Sequence, residues 1–335
     1  MKVRKIMMTW IWSLVISVAA MSTYAAPAVT DVTAKQRFPW NGLVDIKCNV
    51  TGIDGTTNGL WFSVAAVTPD SDAARKAWHY WVVQGGTKST DCKVHTNGNY
   101  RLLWDAQADL GQVIYSNLVV RVTLGDGKIQ LWEGGPYWSE TNIGADRPWE
   151  SGYYFWWGDT IGYKREGETW GASDGSSQNF SFDSSNAPTD GKGIASLQSE
   201  GWITADNVLT AEHDAAHVHW GGSWRMPTSQ ELSDLNDNCD WTWTAKNGVN
   251  GYVVSGRGDY ASASIFLPCA GYGDGTSLNG AGSGGSYWSS VPDSYPKYAH
   301  LYAWYLYFGS GDHGTSSYRH RLYGCPVRPV QGFTK

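Results

Sequence analysis

The densest set of metal-capable side chains is the run EHDAAHVH, which holds Glu212, His213, Asp214, His217 and His219. On a helix His213 and His217 would share a face, a spacing at which two imidazoles can hold zinc. The run lacks the HExxH order and meets a Gly-Gly turn at once, so solvated or packed histidines are the expectation and no metal site is assigned. Five cysteines come next: Cys48, Cys92, Cys239, Cys269 and Cys325. None stands in the close CxxC pairing of a structural zinc site. There is no GxSxG nucleophile elbow and no convincing Ser/His/Asp set. Paired carboxylates for glycoside hydrolysis would be a spatial feature, invisible at this level. Catalysis is not expected.

The remaining chemistry is aromatic. Residues 293–323 read DSYPKYAHLYAWYLYFGSGDHGTSSYRHRLY, dominated by Tyr, Ser, Gly, His and Asp around a few apolar anchors. In AWYLYF, Trp304, Leu306 and Phe308 alternate with Tyr305 and Tyr307, so the period of two predicts one core face and one tyrosine-lined face. Tyrosine gives a large amphipathic contact for little rotamer entropy, and Ser and Gly adapt around it, as in antibody paratopes. The expected ligand-binding set is Asp293, Tyr295, Tyr298, His300, Tyr302, Tyr305, Tyr307, Asp312, His313, Tyr318, His320 and Tyr323, forming one contiguous patch. Its partner would be a protein or a glycan. No cofactor is implied, although the acidic loops leave room for a structural calcium.

These residues need a scaffold. The chain has 335 residues with 41% hydrophobic and only 17% charged, enough for two domains with cores of their own. Forty glycines and twenty tryptophans suit short strands, long ordered loops and aromatic packing, and argue against a helical bundle or a doubly wound α/β enzyme. A formal charge of −6 argues against nucleic acid as a partner.

Lys2, Arg4 and Lys5 precede an apolar run from Ile6 to Ala20, and Thr23 and Ala25 fit a cleavage site, so residues 1–25 read as a signal peptide. No later stretch approaches a membrane span, and the mature chain is expected to be secreted, at the cell surface or periplasmic. Disulfides persist in such compartments. Cys48 with Cys92, and Cys269 with Cys325, are the expected pairs, the second because each cysteine ends a strand-like segment, IFLPC and YGCPVRPV. The role of Cys239 stays open.

Residues 26–127 read as all-β. In GLVDIKCNV, Val44, Ile46, Cys48 and Val50 alternate with polar neighbours; SNLVVRVTL does the same with Leu118, Val120, Val122 and Leu124. Turn signals IDG, TNG and GDG separate the runs, and AARKAW (73–78) is the one helix-like stretch. An immunoglobulin-like β-sandwich is the economical reading. From residue 128 onward aromatics and glycine thicken. KGIASLQSEGW and PTSQELSDL are helix candidates, the second with a capping box at Thr228 and Glu231. Short strands follow around GYVVSG, ASIFLP, YWSS, AWYLYF and CPVRPVQ, which makes an α+β domain over 128–335.

The ordered motifs NIGADRPWESGYYFWWGDT, DAAHVHWGGSWRMPTSQEL, NGVNGYVV, SIFLPCAGYG, GSYWSS and VRPV resemble the Fibrobacter major paralogous domain family, from about residue 128 to 332. RFPWNGLVDIKCNVTG and NYRLLWDAQADL resemble the immunoglobulin-like modules that precede such domains in bacterial exported proteins. The resemblance implies a formylglycine-generating-enzyme-like domain in the broad C-type lectin fold, a fold that hosts binders and enzymes alike. Cys269 and Cys325 depart together from the family pattern, a further reason to pair them. Formylglycine-type oxidation would need two close cysteines near the end of the domain, and Cys325 has none within its segment. The Glu-Pro-Asn, Gln-Pro-Asp and Trp-Asn-Asp triplets of calcium-dependent sugar binding are also missing. C-type lectin domains are the usual variable proteins of diversity-generating retroelements, and the composition of 293–323 between YWSS and VRPV resembles their output.

Overall fold

The computed structural model describes residues 27–332 except 40, 54–59, 69–70, 85, 90–92, 112–118, 126, 178 and 184–186. The expected signal peptide and Cys92 lie outside the described residues. With 46% strand and 12% helix, arranged in several antiparallel sheets, the chain is mainly β.

In strand Leu43–Thr51 the four alternating residues Val44, Ile46, Cys48 and Val50 are all buried. That strand pairs antiparallel with Ala28–Gln36 on one side and Gly98–Asp105 on the other, and Tyr80–Gln84 extends the sheet. A second sheet is built on Leu60–Thr68, flanked by Val119–Gly125, Ser71–Lys76 and Lys93–Val94. Ile46, Leu102 and Trp104 of the first sheet meet Phe62, Val64 and Val122 of the second in one core. Each such side chain contributes about 1.5–3 kcal/mol by leaving water. The helix expected at AARKAW does not form. Ser71–Lys76 is a strand paired with Leu60–Thr68, so sheet pairing overrides the helical propensity of Ala, Arg and Lys.

Beyond residue 127 the core is aromatic. Trp138, Trp157, Trp170 and Trp288 are fully buried, and Trp156 meets Phe180 edge-to-face with centroids 4.6 Å apart. Helix Ser229–Asn238 has its capping box: the Glu231 N–H donates to Thr228 Oγ1 at 3.2 Å and the Thr228 N–H to the Glu231 carboxylate at 2.8 Å. Leu232 and Leu235 face inward. Strand Tyr137–Ser139 pairs with Lys128–Gln130 and with Val330–Gln331, so both ends of this half lie side by side.

Two buried arginines tie distant segments together. Arg328 donates Nε to Asn142 Oδ1 (2.8 Å), Nη1 to the Ser139 and Glu140 carbonyls (3.2 and 2.8 Å) and Nη2 to the Phe266 carbonyl (2.8 Å). Arg321 donates to the carbonyls of Tyr302, Thr189, Lys192 and Ala299. Burial pulls both guanidinium pKa values down to about 10, which leaves them charged at neutral pH.

The two halves meet at a packed joint. Trp78, Trp149 and Phe266 form a small apolar cluster, and the His79 ring stacks on Trp149 with centroids 5.2 Å apart. The Asn247 N–H donates to His79 Nε2 at 2.8 Å, which places the ring proton on Nδ1, 2.8 Å from Asp109 Oδ1. Asp109 Oδ2 accepts the N–H groups of Trp78 (2.8 Å) and His79 (3.0 Å) and the Trp104 indole (2.8 Å). Among the described residues no helix is long and apolar enough to cross a membrane.

The cysteine expectation needs correction. Cys48, Cys239, Cys269 and Cys325 are buried free thiols. Cys269 packs in one aromatic cluster with Cys239, whereas Cys325 sits in a different cluster beside Phe155 and Trp157. Strand ends that look alike in sequence thus point into separate cores. Burial pushes the thiols up to about 11 for Cys48 and Cys269 and about 12 for Cys239 and Cys325, where thiolate chemistry is suppressed. Iodoacetamide should leave Cys269 and Cys325 unmodified in the native protein. Both should be alkylated in guanidinium without reductant, and a crosslinked peptide pair in the digest would refute this.

Candidate functional site

The site rests on a three-stranded antiparallel sheet of Gly284–Pro292, Tyr302–Gly309 and His313–His320. Leu306 and Phe308 are buried, as the period of two predicts, but Trp304 is only partly buried and Ala303 takes the core position. The pairing register slips between Ala303 and Tyr305, and this bulge rotates Trp304 out of the alternation. Helix Ser229–Asn238 lies near one face, where Ser233 Oγ and Thr315 Oγ1 are 3.1 Å apart.

Most of the expected residues come together as a chain of ring contacts. Tyr298 contacts Tyr295 at 5.7 Å, Tyr302 at 5.8 Å and Tyr318 at 5.9 Å, centroid to centroid. Tyr302 touches His320 at 5.3 Å, and His320 touches Tyr323 at 6.2 Å. Tyr305 and Tyr307 form a separate pair 5.8 Å apart. Arg319 joins the two groups. Its guanidinium carbon lies 4.4 Å from the ring centroids of both Tyr305 and Tyr272 and 5.7 Å from that of Tyr323, while Nη2 donates to Ser286 Oγ at 3.0 Å. Cation–π contacts of this kind contribute about 0.5–2 kcal/mol each.

Hydroxyl usage sets these tyrosines apart from three of the buried ones. Tyr80, Tyr154 and Tyr287 are buried, and each donates its hydroxyl to a backbone carbonyl, of Phe62, Ala270 and Pro268 respectively. Among the described residues the hydroxyls of Tyr295, Tyr298, Tyr302, Tyr305, Tyr307, Tyr318 and Tyr323 make no hydrogen bond to the protein. Tyr295 and Tyr318 are 59% and 63% exposed, unusual for large rings that could have been packed.

Four expected residues stand apart from this network. Asp293 is buried, its Oδ1 accepting the Tyr295 N–H at 2.9 Å, so it shapes the turn beneath the rings. His300 is half-buried, and its carbonyl accepts the Gly191 N–H. His313 stacks on Trp241 at 4.3 Å and its Nδ1–H donates to Asn236 Oδ1 at 2.7 Å. With its exposed neighbour Asp312 it sits where Phe308 pairs with His313, roughly 20 Å along the strand from the Tyr302–His320 pair. Burial lowers the pKa of both His313 and His320. Tyr272 and Arg319 were absent from the expected set. Tyr272 sits in a motif that reads as scaffold, and the only sequence signal for Arg319 is a cation within a tyrosine-rich run.

The EHDAAHVH run packs rather than assembling a site. His213 stacks on Trp202 at 3.9 Å, and His219 Nε2 lies 2.8 Å from the Thr160 carbonyl. Asp214 caps helix Ala215–Trp220 by accepting the N–H groups of Ala216 and His217. Among the described residues no group of three or more His, Cys, Asp or Glu side chains is arranged to hold a metal ion. Searches against family models, curated proteins and solved structures return no match for this chain.

Proposed function

We propose that this is an exported recognition protein that binds a protein or glycan ligand through its tyrosine surface. In this reading residues 26–127 are an immunoglobulin-like spacer, 128–335 a C-type-lectin-like scaffold, and 293–323 the loops and strands that carry specificity. The observation that carries it is the chain of tyrosines with unused hydroxyls, laid over a sheet whose central strand buries Ala303, Leu306 and Phe308. Such rings offer apolar area and a hydrogen-bonding tip together. In this reading the chain binds rather than catalyses, and the four described thiols, buried and with raised pKa values, are packing groups. The composition of the segment also fits the variable protein of a diversity-generating retroelement.

Tyr305 packs partly against the core and holds Arg319, so Tyr298 and Tyr318 are the cleaner test. On a glycan array and a panel of extracellular proteins, the Tyr298→Ala/Tyr318→Ala variant should lose roughly thirtyfold in affinity, about 2 kcal/mol, for whichever ligand the wild type binds. Its melting temperature should be unchanged. Equal binding by the two proteins would remove the surface from consideration. A reverse-transcriptase gene and a downstream near-copy of the 293–323 coding segment, differing at adenines, are expected if the retroelement reading holds.

A further inference from the structure

We propose that the seam between the two halves is a second binding site, a cleft for a neutral oligosaccharide. A cavity of about 460 Å³ opens there, lined from the first half by Trp61 and Lys93 and from the second by Glu140, Asp146, Tyr153 and the Trp220–Trp224 pair. Its size is within the range of small-molecule sites. A neighbouring cavity of about 290 Å³ shares Asp146 with it, so the seam continues beyond one sugar ring. None of the tyrosines of the recognition surface lines either space.

The lining selects the ligand class. Trp220 and Trp224 meet at 84° with centroids 5.1 Å apart, and both stay partly exposed although five other tryptophans among the described residues are fully buried. Two perpendicular indoles make a corner against which the C–H face of a pyranose can pack. Around that corner the side chains are polar and of both signs: Lys93 and Lys164 against Glu140 and Asp146. With two lysines against two carboxylates the lining carries no net charge from these side chains and favours neither anions nor cations. Hydroxyl groups, which donate and accept at once, match an alternation of acceptors and donors. Gly144 keeps the wall open beside Tyr153, since a Cβ there would fall 2.2 Å from the ring.

Saturation-transfer NMR and calorimetry on the full chain would test this with maltotetraose, cellotetraose, chitotetraose, mannotetraose and tetragalacturonate as probes. At least one neutral tetramer should bind, and more tightly than its monosaccharide. Trp224→Ala should weaken it about tenfold or more. Asp146→Ala, a change at an exposed position that leaves the fold intact, should also weaken it, whereas Tyr298→Ala/Tyr318→Ala should not. Binding of none of the neutral probes, binding of the acidic tetramer alone, or binding indifferent to both Trp224→Ala and Asp146→Ala would overturn the proposal.

Discussion

Replacing Arg328 with methionine is expected to destabilise the protein by several kcal/mol and to prevent the C-terminal half from reaching its native state at 37 °C or thereabouts. The guanidinium is 1% exposed and holds four acceptors, three of them backbone carbonyls from two segments far apart in the chain. Methionine fills the volume but donates nothing. Each abandoned acceptor costs about 1–3 kcal/mol, and a domain is stable by only about 5–15 kcal/mol. Lysine should fail nearly as badly, because its ammonium cannot reach the spread of acceptors that a planar fork serves. Urea unfolding monitored by tryptophan fluorescence would measure the loss. A change within about 1 kcal/mol for Arg328→Met would show that water can replace the guanidinium.

The second large effect is expected at Asp109→Asn, an isosteric change that should cost about 2–4 kcal/mol and loosen the joint between the halves. Every group facing this carboxylate is a donor: two backbone N–H groups, an indole and the His79 Nδ1–H, with Lys246 Nζ at 4.0 Å. An asparagine amide keeps one acceptor oxygen and presents N–H groups in place of the other. His79 cannot adapt by moving its proton to Nε2, because the Asn247 N–H already occupies that side. Burial alone would raise the Asp109 pKa, but the hydrogen bonds from His79 outweigh it and hold the value below the ordinary aspartate range. A depressed carboxylate contributes stability above the unfolded pKa of about 3.9 and loses it as pH falls through the folded value. The acid limb of the wild-type stability curve should therefore flatten in Asp109→Asn. Faster hydrogen exchange at the Trp78 and His79 amides would report the loosened joint.

Local patterns survive in the sequence where a single element satisfies them. Strand Leu43–Thr51 was readable because its four inward residues need only one sheet face, and helix Ser229–Asn238 because Thr228 and Glu231 cap each other within one turn. Readings failed where a partner elsewhere in the chain decides the outcome. Ser71–Lys76 is extended because Leu60–Thr68 offers it an edge, and Trp304 turns outward because a bulge in the pairing displaces it. The tyrosine run was visible as composition, but Tyr272 and Arg319 join it only through space. Asp293 has the right chemistry for a ligand, yet its hydrogen bond to Tyr295 places it underneath. The cysteines misled for the same reason, since neither spacing nor strand ends record which core a side chain enters. Arg328 and Asn142 stand 186 residues apart, beyond anything periodicity can register.

The pairing of Tyr137–Ser139 with Val330–Gln331 has a kinetic consequence. The strand that closes the C-terminal half is among the last parts of it to be synthesised, so the Arg328 hydrogen bonds must wait for nearly the whole half to leave the ribosome. Contacts of such sequence separation form late and slowly, because loop closure has to precede the contacts that reward it. Until then the binding sites of Arg328 on Ser139, Glu140 and Phe266 are open to solvent, and the emerging chain exposes tryptophan-rich surface to whatever surrounds it.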